Sequence, residues 1–200
     1  MKKLLVATNN KGKLAELRTL LTGLPVELQS LSDLGTFEEV EETGSTFIEN
    51  ARLKASSYAL QTGLPSIADD SGLEVAALDG RPGVLSARYG GEALSFGEKM
   101  QMLLAEIGKT GSENRSARFV CALAVADEAG TILYTTEGIC NGKIASGPRG
   151  NSGFGYDPLF IPDGYEQTFG ELSGGIKQQI SHRRQAFEQI MPFLRDFIAV

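Results

Sequence analysis

Asp69-Asp70-Ser71-Gly72 brings together two adjacent carboxylates, a hydroxyl and a residue free to turn sharply. The stretch follows a short apolar run, Pro65-Ser66-Ile67-Ala68, that reads as a strand, so the acids are expected at its end. Strand ends in α/β sheets are where ligands bind. Side chains alternate faces along an extended chain, so Asp69 and Asp70 should point opposite ways. One can then reach a ligand-bound Mg²⁺ while the other holds the turn. Adjacent acids repel unless a cation or a donor compensates them. The bland alternative is an Asx-turn with solvated acids.

Three further stretches could carry chemistry. Thr8-Asn9-Asn10-Lys11-Gly12-Lys13 lies between an expected strand and an expected helix. Backbone N–H groups at a helix start attract anions, and Lys11 and Lys13 add positive charge. The opening glycine and the Gly-Lys-Ser/Thr ending of a Walker A loop are missing. The alternative is Asn or Thr capping a surface helix. Ser181-His182-Arg183-Arg184 holds the one histidine of the chain, at the expected start of the last helix. His182 and Arg183 can donate to a base carbonyl or to phosphate. A Ser-His hydrolase triad is poorly supported, because no glycine-flanked nucleophile elbow accompanies it. Gly153-Phe154-Gly155-Tyr156-Asp157-Pro158 sets an aromatic ring between two glycines, which suits stacking on a planar base if Phe154 does not fold back onto the core. Lys54 and Asn50 lie one turn apart on an expected helix, with Glu42 just before it. This places an acid, an amide and an ammonium in one neighbourhood, unless all three face solvent.

The elements that must position these groups follow from periodicity. Lys3 to Ala7 reads as a buried strand. Leu14, Leu17, Leu20 and Leu21 recur at helical spacing and predict a helix from Gly12 to Thr22, with a second strand from Val26 to Leu31. Residues 32–45 are acidic and turn-rich and read as a solvated loop. Thr46-Phe47-Ile48-Glu49 matches a capping box, predicting a helix to about Gln61 that buries Ile48, Ala51, Ala55 and Ala59. The strand with the acid pair is followed by a separate apolar run, Leu73 to Leu78. Met100, Leu103, Leu104 and Ile107 mark another helix. Phe119 to Ala126 and Thr131 to Thr136 flank Asp127-Glu128-Ala129-Gly130 as a hairpin. The last helix is expected from near Ile180, with Pro192 kinking it. Early alternation of helix and strand followed by a hairpin predicts a mixed-sheet α/β fold.

Composition bounds the rest. The chain has 200 residues, 42% hydrophobic and 22% charged, with a net charge of −6. One domain is expected, with room for two lobes. The acidic balance lacks the basic footprint of a duplex-binding protein, so a free nucleotide fits better than a nucleic acid polymer. Cys121 and Cys140 lie in strand-like runs without metal-ligand spacing and read as buried free thiols in a reducing compartment. The apolar run after Lys2-Lys3 stops at Ala7, too short for a signal peptide, and no segment is long enough to span a membrane. A cytoplasmic protein is expected.

Taken in order over nearly the whole chain, these segments resemble one family closely. They are Ala7-Thr8-Asn9-Asn10-Lys11-Gly12-Lys13, Glu41-Glu42-Thr43-Gly44, Thr46 through Ala51, Ala68 through Leu73, Pro82-Gly83 through Ser86-Ala87-Arg88-Tyr89, Gly153 through Pro158, and Ile180-Ser181-His182-Arg183. The chain is similar to the inosine triphosphate pyrophosphatases, the Ham1-like family. The resemblance implies an elongated mixed sheet flanked by helices, two lobes around a deep central cleft, and a homodimer. It implies Mg²⁺-dependent hydrolysis of ITP, dITP and XTP to the monophosphate and pyrophosphate. It assigns Glu42 and Asp70 to the metal and Asp70 also to proton acceptance. Thr8, Asn9, Asn10, Lys11, Gly12 and Lys13 would hold phosphate and part of the base. Ser71, Phe154, Gly155, Tyr156, Asp157, Lys177, His182 and Arg183 would contact nucleotide. Ser173-Gly174-Gly175, just before Lys177, departs from the polar helical stretch expected there.

On this reading Lys13, Lys54 and Lys177 neutralise phosphate charge, and water attacks the α-phosphorus. The water's proton goes to a second oxygen of Asp70 or to Asp69. Selectivity rests on donors from backbone N–H groups, His182 or Arg183 meeting the six-position oxygen, where adenine presents an amino group. Two other classes compete. A non-catalytic nucleotide sensor would bind without turnover, and a phosphatase or receiver domain would use Asp69 or Asp70 as phospho-acceptor.

Overall fold

A computed structural model describes residues 2–199. The chain runs β1 (Lys2–Val6), α1 (Lys11–Leu21), β2 (Val26–Ser30), α2 (Leu31–Leu34), α3 (Phe47–Thr62), β3 (Ser66–Val75), α4 (Phe96–Lys109), β4 (Ser116–Ala126), β5 (Ile132–Ile144), β6 (Phe160–Pro162), α5 (Gly174–Ile180) and α6 (His182–Ala199). Six strands form one sheet in the order β2-β1-β3-β4-β5-β6. Parallel pairs join β1 to β2 and to β3, while β5 and β6 pair antiparallel. The sheet is therefore mixed and the fold α/β, as the alternation of elements predicts. Among the described residues no helix is long and apolar enough to cross a membrane.

Two units divide these residues. The first holds the chain up to Asp70, Cys121–Gly138 and everything from Arg183 onward. The second holds Ser71–Val120 and Ile139–His182. In the first unit Leu4 and Val6 of β1, Leu17 and Leu21 of α1, Cys121, Leu123 and Val125 of β4, and Phe187, Ile190 and Leu194 of α6 bury one another. The leucine spacing of α1 and the apolar stripe of α6 supply these faces. In the second unit, Met100, Leu103 and Ile107 of α4 join a cluster with Leu73, Val75 and three rings. Those rings, Phe119, Phe160 and Phe169, lie 4.6–6.3 Å apart between centroids.

Local chemistry sets the helix ends. Thr46 caps α3 by accepting from the Glu49 N–H, and the Glu49 carboxylate accepts from the N–H groups of Ser45 and Thr46. Ser95 and Glu98 form the same reciprocal cap on α4. Gly63 ends α3 in the left-handed region, φ +65°.

Several expectations are corrected. The acid pair does not end a strand: β3 runs unbroken through Asp69, Asp70, Ser71 and Gly72 to Val75. Gly72 is not among the glycines at positive φ, so the turn-forming capacity of Ser71-Gly72 is unused. Each acid finds a cation beside it, the compensation that adjacent carboxylates require. In α3, Phe47 and not Ile48 is buried, together with Asn50, Ala51, Ala55, Tyr58 and Ala59. The acidic stretch after β2 opens with the short helix α2. The last helix begins at His182; residues 174–180 form a separate helix, and Ser173 precedes its first turn. The two glycines before Lys177 thus lie in a helix after all. Pro192 lies inside α6, where the sequence puts it.

Candidate active site

Strand β3 delivers Asp69 and Asp70 to different partners, as alternation requires. In the first unit, the connection from β1 to α1 is self-organised. The Thr8 hydroxyl accepts from the Asn10 N–H at 3.2 Å, and the Asn10 side chain accepts from the Lys13 N–H at 3.0 Å. Asn10 is therefore the cap of α1, while Asn9 and Lys11 are exposed and Thr8, Gly12 and Lys13 half-buried. From the first turn of α1 the Lys13 ammonium reaches Asp69 Oδ1 at 2.6 Å.

Asp69 is the centre of a buried ionic group. Its Oδ2 accepts from Arg183 Nε at 2.7 Å and from the Cys121 thiol at 3.0 Å. Arg183, at the start of α6, is 1% exposed, and its Nη1 also donates to Glu16 on α1. Burial alone would raise the Asp69 pKa, but the charges of Arg183 and Lys13 outweigh it and hold the carboxyl well below its usual value. The Cys121 thiol is pushed well up by burial and by the Asp69 charge, so it stays a neutral donor. Both cysteines are buried free thiols. Glu16 carries no motif, and Cys121 reads from the sequence only as a buried free thiol, with no sign of its bond to Asp69. The helical spacing of Lys13 and Glu16, one turn apart on α1, was the available signal.

Asp70 lies in the opposite environment. Its Oδ1 accepts from Lys54 Nζ at 2.9 Å, and the same ammonium donates to Glu42 Oε1 at 2.6 Å. Its Oδ2 is buried with no hydrogen-bond partner among the described residues. Burial raises the Asp70 pKa and exceeds the opposing pull of Lys54 and Lys13, with the nearby Glu42 adding to the rise. For Lys54, burial would lower the pKa, but Asp70 and Glu42 together raise it. Asn50 is buried in α3 and its Oδ1 accepts from the Gly44 N–H at 2.7 Å, fixing the segment that follows Glu42. The acid, amide and ammonium thus form one structured group, and none is simply solvent-facing.

The second unit arranges the glycine-flanked aromatic. Phe154 is half-buried, and the Lys177 ammonium of α5 stands 4.4 Å from its ring centroid. Asp157 Oδ2 accepts from the Phe154 N–H at 2.7 Å and from Lys177 Nζ at 2.6 Å. Gly153 has φ +74°, and a Cβ there would collide with the Asp157 carboxylate. Tyr156 is buried, its ring edge-on to Phe96 at 5.5 Å and its hydroxyl donating to the Ser86 carbonyl at 3.0 Å. Gly155 and Ser71 are half-buried. His182 is buried with its ring stacked on Phe119 at 4.8 Å.

A divalent cation of the Mg²⁺ type binds carboxylates through one or two oxygens and leaves its other positions to water and phosphate. Glu42 and Asp70 fit that demand. They converge on one cationic group, and Asp70 Oδ2 is a buried acceptor with coordination capacity to spare. Among the described residues no cluster of three or more His, Cys, Asp or Glu is disposed to hold an ion unaided, so a ligand would have to complete the shell.

Comparison with known proteins places the chain in a family. The sequence model of the Ham1 family matches residues 4–193. The chain is 50% identical over 186 residues to a Geobacter sulfurreducens protein named dITP/XTP pyrophosphatase, covering 93% of each. It is 45% identical over 195 residues to a protein of the same name from Oceanobacillus iheyensis, covering 97% of this chain and 98% of the relative. A solved Ham1 protein from Coxiella burnetii superposes with a TM-score of 0.90 at 41% identity, over 98% of this chain and all of that one. The Staphylococcus aureus Ham1 protein gives 0.86 at 39% identity, over 98% and 100%. With matches over nearly its whole length in both sequence and fold, the chain belongs to the Ham1 family.

Proposed function

We propose that this chain hydrolyses ITP, dITP and XTP to the monophosphate and pyrophosphate, with Mg²⁺ as cofactor, and so removes faulty purine nucleotides from the pool. The names of its relatives support the reaction class. The single observation that carries the chemistry is the split of Asp69 from Asp70. Asp69 has both oxygens engaged by cations and a depressed pKa, so it is a poor proton acceptor. Asp70 has a raised pKa and an open buried oxygen, the properties of a general base.

Glu42 and Asp70 hold the metal, which when bound neutralises phosphate charge and acidifies water. Thr8 through Lys13 bind the phosphates, and Lys54 neutralises part of their charge. The Asp70 carboxylate oxygen that is not given to the metal takes the proton of the water that attacks the α-phosphorus. Arg183 serves through Asp69, fixing the carboxylate that orients Lys13. In the second unit Phe154 stacks on the base, Lys177 and Asp157 set its ring, Tyr156 anchors the segment, and Ser71, Gly155 and His182 contribute nucleotide contacts. Donors facing the six-position oxygen would meet a donor in adenine, and an unpaired buried polar group costs about 1–3 kcal/mol. The whole chain acts as one catalytic domain, in a homodimer, in the cytoplasm.

Asp70→Asn tests the assignment. Pyrophosphate release should fall at least about a thousandfold, because an acid–base contribution of roughly 10²–10⁴ and a metal ligand are lost together. Nucleotide binding, read by calorimetry, should persist. Rates like those of the unaltered protein would remove Asp70 from the reaction. Chelation by EDTA should stop turnover, and added Mg²⁺ should restore it.

A further inference from the structure

The Lys54 ammonium is bonded to both carboxylates assigned to the metal, at 2.6 Å to Glu42 and 2.9 Å to Asp70. Its side chain is 11% exposed, so it lies within the group and not at a solvated edge. A divalent cation on these same two carboxylates adds a second positive centre where one already sits. The two cannot share the carboxylates at full strength, because like charges at such range repel in a poorly solvated site. Removing Lys54 from the pair without giving it another anion would leave a buried charge uncompensated, which is strongly unfavourable. The polyphosphate of the substrate is an anion that can receive it.

We infer that Lys54 is a built-in counter-cation that holds the Glu42–Asp70 pair until a polyphosphate draws it away, and that it thereby couples metal binding to nucleotide binding. The inference rests on the reading of Glu42 and Asp70 as metal ligands. In the absence of nucleotide, Lys54 competes with the metal and keeps its affinity low. With nucleotide present, the ammonium turns to phosphate and the carboxylates become available. The coupling is reciprocal, so metal tightens nucleotide by the same factor. The protein thereby avoids sequestering metal in an idle site, and it keeps the repulsion between two acids compensated when no substrate is bound.

The test is a titration of metal-free protein with Mn²⁺, reading free Mn²⁺ by its paramagnetic resonance signal. It is run without nucleotide and with the non-hydrolysable α,β-methylene analogue of ITP, corrected by a protein-free titration with that analogue. In the unaltered protein the analogue should tighten Mn²⁺ about tenfold or more, within the usual range of coupling between sites. Lys54→Met should bind Mn²⁺ alone about tenfold tighter than the unaltered protein, and the analogue's enhancement should shrink towards unity. If circular dichroism shows Lys54→Met unfolded, Lys54→Gln carries the same titration. A lysine variant that binds Mn²⁺ alone no tighter than the unaltered protein, or an unaltered protein without enhancement by the analogue, overturns the inference. Asp70→Asn separates the underlying reading. Loss of Mn²⁺ binding in that variant upholds the ligand assignment, whereas affinity equal to that of the unaltered protein defeats that assignment and the inference together.

Discussion

Burial raises the pKa of any carboxyl, and Asp69 and Asp70 are both buried, yet their neighbours drive them apart. Asp69 is held low by Arg183 and Lys13, after burial has been overcome. Its ionised form therefore stabilises the fold above the ordinary carboxylate range, and that stability is lost as pH falls through its lowered pKa. Asp70 is held high by burial, so ionising it costs stability as pH rises past the ordinary carboxylate value. Opposite effects follow in metal-free protein. Asp69→Asn should lower stability at pH 7 by on the order of 3 kcal/mol, because Arg183 loses its buried counter-charge. The deficit should largely persist at pH 4 and narrow only below the ordinary carboxylate range, where Asp69 itself becomes protonated. Asp70→Asn should keep or raise the melting temperature at pH 7. Thermal unfolding at pH 7 and at pH 4 measures both, and equal losses in the two variants would contradict the account. The sequence shows that the acids differ in orientation, since alternation is a property of any strand. It does not show which partners each would meet: Arg183 lies 114 positions from Asp69, and Cys121 52 positions away.

At the level of elements, the helix starts were the most legible features. Thr46 and Glu49 announce a cap that depends only on residues three apart, and the structure forms it. Removing that cap should cost about 1 kcal/mol: Thr46→Ala should lower the urea midpoint without changing the slope of the transition. An unchanged midpoint would mean that packing alone fixes the start of α3. Strand ends were less legible because turn-forming residues state a capacity, not an outcome. Ser71-Gly72 has that capacity, but pairing within the sheet and neutralised acids keep β3 extended to Val75. The division between α5 and α6 at Ser181 was similarly hidden, since a helix C-terminus followed at once by a new helix leaves the apolar spacing nearly continuous.

For the whole molecule, no single stretch identifies the fold, but their order does, and the family match extends over residues 4–193. The mixed sheet was legible from alternating helices and strands followed by a hairpin. The short strand β6 was not, because three residues carry no periodicity. The first unit holds the ionic groups of Asp69 and Asp70, and the second holds the Phe154 ring with its Lys177–Asp157 pair, so each can be substituted by itself. Phe154→Ala should weaken binding of ITP and XTP alike by about tenfold, since stacking reads a face common to purines. Binding isotherms that match the unaltered protein would assign Phe154 to packing beneath Lys177. Gly153→Ala should do comparable damage without removing any contact, because the left-handed backbone and the Asp157 carboxylate leave no place for a methyl group.

The most direct measurement is the identity of the products formed from ITP with Mg²⁺. The account predicts inosine monophosphate and pyrophosphate in equal amounts, with no product from Asp70→Asn that still binds nucleotide. Orthophosphate in place of pyrophosphate, or tight binding of ITP with no cleavage by the unaltered protein, would contradict it.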